Sequence, residues 1–578
     1  MHIYKLTINT VIYLFLAAAI FGQTDLVKTE GITNPLHQAN IGKITFMSTL
    51  IPIENYKETD FLKAFELKET GDLNIRVFMD NSLTNYLHRL APSLTAEELV
   101  KNGNYQFLFF VDGALVYKEN VFASAYAIEN KNTKTILQLS LMNSTNEETG
   151  GSALWRRFLL NGGDEALTEG THSLKIELRP YLKTPELKVG NLIARGELQL
   201  TVIKPKIDEK QIAIQLIEPN SGWKISKDAY DKKRIRELNR KIAENFYKEI
   251  KSIIVIKDGK LLIEEYFNGA TRDTLHNTRS VGKSFASAMM GIAINDGYIK
   301  SEDQTLKEFY DLKKFANYAP KKEGVTIKSL LTMSSGFDAD DDNEESPGNE
   351  ENMYPTSDWV KFALDLSMDN KKEVGNTWNY FTAGVIILGD IINKSVPGGL
   401  EKYAENKLFK PLSIKKYEWP YTPQKVASTA GGLQMSSLDF AKFGQLYKNG
   451  GRWHGKQIIP RHWVDKTFTK YLPVPYGENA HYGYLFWNIT YNVNNKPYEA
   501  FYATGNGGNK IFVFKDQPLV VVITTTAYGK SWAHPQANRI MERYILPAVS
   551  NERALRMKHP TPSSQASMKA MLSRRRVR

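Results

Sequence analysis

A chain of 578 residues is longer than one hydrophobic core ordinarily supports, so two domains are expected. Apolar residues make up 42% and charged residues 24%, a globular composition with ample material for a core, and the absence of cysteine excludes disulfides, thiol nucleophiles and cysteine metal sites together. The net charge of +12 is unevenly placed: the segment from Asn551 onward holds eight Lys or Arg against one Glu, which leaves a nearly neutral body and argues against a nucleic-acid partner.

In chain order, the first residues "MHIYKLTINTVIYLFLAAAIFGQ" carry an apolar run from Val11 to Phe21. That run is shorter than the roughly 20 residues a membrane-crossing helix needs, so residues 1–22 read as a cleavable signal peptide. The mature protein is then periplasmic or secreted and has no transmembrane span. From 23 to 204 the pattern is mostly period two, as in "NIRVFMD", "NYQFLFFVDGALVYKENVF" and "THSLKIELRP", with Asp112-Gly113 as a hairpin turn. Short alternating runs of this kind predict an antiparallel β-sandwich. No catalytic constellation lies in it, so a binding or spacer role is expected. Residues 205–222, with "PKIDEK" and "EPNSG", read as a linker. From 223 to 549 a helix with Ile235, Leu238, Ile242 and Phe246 on one face precedes a hairpin turning at Asp258-Gly259. A helical middle follows, and two further strands in "NKIFVFKDQPLVVVITTT" close the pattern, which predicts an antiparallel sheet covered by helices. The tail 550–578 has little to bury and reads as disordered.

The stretch "TRSVGKSFASAMM" from Thr278 contains two competing suggestions. A phosphate-binding loop needs a glycine five positions before Gly282, and Asn277 stands there after a polar "RDTLHNTR" rather than a buried strand. The other reading is Ser-x-x-Lys. Phe285, Met289, Ile292 and Ala293 repeat at helical spacing, so Ser280 and Lys283 share a face at a helix N-terminus, where free N–H groups favour a developing oxyanion. A lysine held in an apolar pocket there loses its proton more readily and suits deprotonation of the serine. Ser-x-x-Lys alone is weak, since "SIKK" from Ser413 also matches and no such helix follows it. Two further segments accompany the first. In "VGNTWNYFTAGVIILGDII", Tyr380 precedes an apolar helix and is placed to take the serine proton, as a phenolate stabilised by the lysine cation. In "YATGNGGNKIFVF", Gly505, Gly507 and Gly508 enter a strand and permit close approach of a substrate, whose carbonyl oxygen would meet the Asn506 N–H.

Together with "LLTMSSGFD" and "STAGGLQMSSLDFAKFGQLYKNGG", these segments resemble, in order, the β-lactamase-related serine hydrolases, the family of class C β-lactamases, D-alanyl-D-alanine peptidases, esterases and 6-aminohexanoate-dimer hydrolase. The resemblance spans about 223–549. It implies an α+β, β-lactamase-like transpeptidase fold: an antiparallel sheet flanked by helices plus a helical subdomain, here preceded by the all-β sandwich-like domain. It also implies acyl-enzyme hydrolysis of a small or peptide-like ester or amide without metal or cofactor. Ser280 then resembles the nucleophile, Lys283 its partner, Tyr380 the base, and the N–H groups of Ser280 and Asn506 the oxyanion hole. Two departures stand out. Thr382 offers a hydroxyl where the second motif usually ends in Asn, and no cation occupies the third motif, with Lys510 only nearby. Both losses point toward the esterase and amidase branch. A catalytically silent receptor, binding glycan or peptide through the sandwich, is the alternative.

Other candidates are weaker. No Gly-x-Ser-x-Gly elbow and no His-Glu-x-x-His occurs, and His276, His481 and His534 read as surface or core residues. The acidic run "DADDDNEESPGNEEN" from Asp338 lacks the glycine and glutamate of a calcium loop and reads as a solvated loop that covers the site entrance and disfavours anionic substrates. In "HYGYLFWN", Tyr482, Tyr484 and Trp487 read as an aromatic wall to the site or as core.

Overall fold

The period-two runs of the first part form strands; burial alternates along Gly170–Lys183 and Ala194–Val202, while Leu73–Phe78 is buried on both faces. The computed structural model describes residues 24–145, 147–477 and 479–550, which fold as two compact units that divide between Lys204 and Pro205. The expected leader over 1–22 and the basic tail from Asn551 lie outside the described residues.

In the first unit Leu73–Phe78 is the centre of a three-stranded sheet between Ile44–Met47 and Ile136–Met142. A second sheet runs Ala64–Leu67, Ala194–Val202, Gly170–Lys183, Gly103–Val111, Ala114–Asn120, with Leu187–Val189 paired to Gly170–Lys183. One pair, Ala64–Leu67 with Ala194–Val202, is parallel. Asp112 and Gly113 both have positive φ, the geometry that matches a two-residue turn to the twist of its strands. One core joins the two sheets: Ile75 and Val77 of the first share it with Phe107, Phe109, Leu174, Leu178 and Leu198 of the second. The unit is sheet-rich and also carries helices. Gly150–Phe158, capped by Thr149, places Trp155 and Phe158 in that core, with Phe158 stacked 4.7 Å from Phe109.

The second unit is built on an eight-stranded antiparallel sheet, ordered Lys260–Tyr266, Ile250–Lys257, Leu519–Thr525, Asn509–Phe514, Lys496–Gly505, Trp487–Val493, His481–Tyr482, Leu472–Pro473. Strands from the two ends of the unit pair as neighbours inside this sheet, and Ile250–Lys257 and Leu519–Thr525 are buried almost throughout. Helices Val281–Asn295 and Ser437–Lys448 cover one face, and Ala533–Ile540 packs against the strand Asn509–Phe514. A helical lobe, with Thr382–Ser395 packed on Val281–Asn295, completes the unit. Helix Lys232–Ala243 buries Ile235, Leu238 and Ile242 as its spacing predicts, but ends before Phe246.

The stretch 205–222 is more than a tether. It forms a short helix, Glu209–Ile212, buries Ile212, and donates from Gln215 N to the buried carboxyl of Glu265 at 3.1 Å. Arg272 reaches the Glu218 and Pro219 carbonyls, both at 3.1 Å.

Candidate active site

Just before helix Val281–Asn295 the chain turns through Arg279, a non-glycine residue with φ of 54°. That conformation costs on the order of 1 kcal/mol and persists only where the surroundings hold it. Here the Arg279 guanidinium lies 4.3 Å over the Tyr528 ring, and the Tyr528 hydroxyl donates to the Asn277 carbonyl at 2.7 Å. The turn leaves Ser280 as the residue that caps the helix, half-exposed, with no capping bond of its own side chain. Its Oγ is therefore available for chemistry.

Lys283, one turn on, is only 2% exposed. Its Nζ lies 2.7 Å from Ser280 Oγ and donates to the Ala430 carbonyl at 2.6 Å. Burial holds its pKa below the ordinary lysine value, while Glu350 and Asp341 pull the other way. Tyr380 completes the group. Its ring centroid is 5.2 Å from Lys283 Nζ. Burial pushes the phenol pKa up; the neighbouring Ser280 side chain opposes this, and the carboxylates of Glu350, Asp341 and Asp342 push it further up. Burial thus favours the protonated phenol of Tyr380 and the neutral amine of Lys283.

The oxyanion side is assembled by close backbone approach. A Cβ at Gly505 would come within 1.9 Å of the Thr278 carbonyl and 2.8 Å of Ser280 N, so only glycine lets the strand end lie against the serine turn. The backbone that approaches here is the chain's own, not a substrate's. Among the described residues no acceptor is bonded to the N–H of Ser280 or of Asn506. Asn506 is exposed, and its side chain is anchored by Gly529 N at 2.7 Å. Gly507 is buried against Tyr528 in the turn, which corrects its expected contact with substrate.

Thr382 is also corrected. It is fully buried at the start of helix Thr382–Ser395, and its N–H donates to Asp341 Oδ2 at 2.7 Å, so its hydroxyl is not presented to a substrate. The acidic run is no free solvated loop either. Asp340 accepts from Asn379 at 3.2 Å, Asp341 N donates to the Tyr380 carbonyl at 2.9 Å, and Asp342 accepts from the Tyr476 hydroxyl. Together they clamp the Tyr380 loop. Burial, then Glu350, raises Asp341 to about 6, opposed by Thr382 and Lys283. Trp487 borders Tyr380 at 5.8 Å, Trp378 at 5.6 Å and Tyr476 at 5.4 Å, forming an aromatic wall. Tyr484 instead stacks 4.9 Å from Tyr471 in the core, and Tyr482 is buried.

The histidines stand apart from the serine. His276 is buried and drawn down to about 4 by burial and then Lys251, His534 to about 3 by burial and then Lys510, and His481 Nδ1 lies 2.8 Å from the Asn479 carbonyl. No group of residues suited to a metal ion and no helix long and apolar enough to cross a membrane occurs among the described residues. Sequence reasoning missed the Ala430 carbonyl that fixes Lys283 and the Asp341 carboxylate beside it. The glycine pair in "STAGG" was the available signal for the first, because a Cβ at Gly431 would lie only 2.7 Å from the Arg279 carbonyl.

The protein PbpX of Bacillus subtilis (strain 168) is 22% identical over 292 residues, 46% of this chain and 69% of that protein. Protein flp of Staphylococcus aureus (strain N315) is 24% identical over 192 residues, 32% of this chain and 37% of its own length. The octameric penicillin-binding protein homologue from Pyrococcus abyssi is 21% identical, with a TM-score of 0.44 over 56% of this chain and 80% of its own. The family model described as Beta-lactamase matches residues 250–544, slightly more than half of the chain and every residue of the Ser280, Lys283, Tyr380 and Asn506 group. The chain belongs to the Beta-lactamase family.

Proposed function

We propose that the second unit is a serine hydrolase that cleaves an ester or amide through an acyl-enzyme on Ser280. Lys283, whose burial favours the neutral amine, takes the Ser280 proton as Oγ attacks the carbonyl carbon. The N–H groups of Ser280 and Asn506 stabilise the oxyanion, a contribution worth about 10²- to 10³-fold in rate per donor in comparable sites. Collapse breaks the carbonyl carbon's bond to the leaving oxygen or nitrogen, which receives a proton from the Tyr380 phenol, resupplied by Lys283. Water then attacks the acyl carbonyl, giving up its proton to Lys283; as the carbonyl carbon's bond to Ser280 Oγ breaks, Lys283 returns a proton to Oγ and the acid departs.

The observation that carries this reading is Lys283 Nζ, buried and 2.7 Å from the half-exposed Ser280 Oγ at a helix N-terminus. The substrate class follows from charge. Asp340, Asp341, Asp342 and Glu350 surround the Tyr380 loop, and no cation stands in the third motif, so neutral or cationic esters and amides are favoured over carboxylates. The apolar leader of the sequence supports a periplasmic or secreted site of action. A fluorophosphonate probe is expected to label the wild-type protein at Ser280, found by peptide mass spectrometry, and to leave Ser280→Ala unlabelled. Equal labelling of both proteins would reject the assignment.

A further inference from the structure

Lys510 is a buried cation that the proposed chemistry does not use. It lies in the strand Asn509–Phe514, is 2% exposed, and sits between the rings of Tyr502 at 4.4 Å and Phe512 at 5.8 Å. Among the described residues no carboxylate pairs with it. A buried ammonium without an anion costs folding free energy, which ring contacts and a single hydroxyl offset only in part. Its one polar contact leads toward the active site. Nζ donates to Thr504 Oγ1 at 3.1 Å, and Thr504 Oγ1 donates to the Asn509 carbonyl at 3.1 Å. Asn509 Nδ2 in turn donates to the Asn506 carbonyl at 2.9 Å, and Asn509 Oδ1 accepts from Thr525 N at 2.9 Å. These bonds close the turn from Gly505 to Asn509, which contains the Asn506 peptide.

We infer that Lys510 is a positioning residue: by donating to Thr504 it fixes the Gly505–Asn509 turn and so holds the Asn506 N–H where the substrate oxyanion forms. This rests on the serine-hydrolase reading above. The titratable groups that face Lys510 are Tyr502 on the neighbouring strand, whose pKa burial raises, and His534 on helix Ala533–Ile540, which stays neutral with Nδ1 3.5 Å from Thr504 Oγ1. Lys510 itself is drawn down to about 7 by burial. It is the member of this cluster that changes charge near neutrality, losing its ammonium as the pH rises.

The test measures kcat, KM and fluorophosphonate labelling rate against pH for wild type, Lys510→Met, Lys510→Arg and Thr504→Val. Wild type should show an alkaline decline in kcat above about pH 7. Lys510→Met should lose between about 10-fold and 10²-fold in kcat and in labelling rate, with KM little changed, and should lack the alkaline decline. Lys510→Arg, which keeps its charge, should recover part of the rate and carry it to higher pH. Thr504→Val cuts the same link without removing the charge and should slow labelling as well, and thermal unfolding of each variant separates misfolding from mispositioning. If wild type is labelled at Ser280 while a folded Lys510→Met or Thr504→Val matches it in rate and pH profile, the positioning role is overturned and the hydrolase reading stands. An unlabelled wild-type serine overturns both.

Discussion

Lys283 and Tyr380 share one pocket, and burial moves their proton affinities in opposite directions: the amine gives up its proton more easily, the phenol less easily. In the proposed reaction this casts Lys283 as base and Tyr380 as acid. Glu350 and then Asp341 oppose this, because their carboxylates favour the charged form of Lys283. Replacing Asp341 with Asn removes that anion and lowers the lysine pKa further. The acidic limb of the kcat/KM profile of Asp341→Asn should therefore move to lower pH, read with a neutral p-nitrophenyl ester; an unmoved or higher limb would contradict the coupling. The pairing of Ser280 with Lys283 was legible from helical spacing together with the Tyr380 and Gly505 segments that accompany it, since a helix places i and i+3 together whatever packs around them. The burial of Thr382 was not, because a threonine at a helix start reads the same whether it meets a substrate or Asp341.

At the scale of elements, the site depends on how closely the strand Lys496–Gly505 approaches the turn before helix Val281–Asn295. Gly505→Ala would set a methyl group 1.9 Å from the Thr278 carbonyl, so strand and turn must separate. Loss of labelling at Ser280 is expected, with a fall in stability of about 1–3 kcal/mol as for other overpacked sites, read by denaturant unfolding. A folded variant with wild-type labelling would show that the approach is not needed. The hairpins at Asp112-Gly113 and Asp258-Gly259 were legible because their turns are local chemistry: both residues of each pair adopt positive φ. The helix Gly150–Phe158 was overlooked among strands: its apolar face, Leu154, Trp155 and Phe158, spans little more than one turn after a glycine start.

At the scale of the whole molecule, the second unit begins at its own buried contacts rather than at the first motif. A chain starting at Pro205 keeps Ile212 and the Gln215 bond to Glu265, whereas one starting at Trp223 loses both and leaves a buried carboxyl short of a donor. The longer chain should unfold at higher temperature; equal melting would reduce 205–222 to a tether. Global stability should also register Lys510. Its folded-state pKa of about 7 lies below the 10.5 of an unfolded lysine, so between these values the unfolded chain binds the extra proton and stability rises with pH. Below about pH 7 the full cost of the buried cation is present. Lys510→Met should accordingly raise the melting temperature more at pH 6 than at pH 9, the reverse of its effect on catalysis. By itself the sequence determined most strands and hairpins, the main helices of the second unit, the serine-lysine pair and the family, because periodicity, turn chemistry and helical spacing act over a few residues. Only the tertiary structure decided which hydroxyls meet solvent, where Lys510 points and which group carries the resting proton, because burial and charge come from segments hundreds of residues apart.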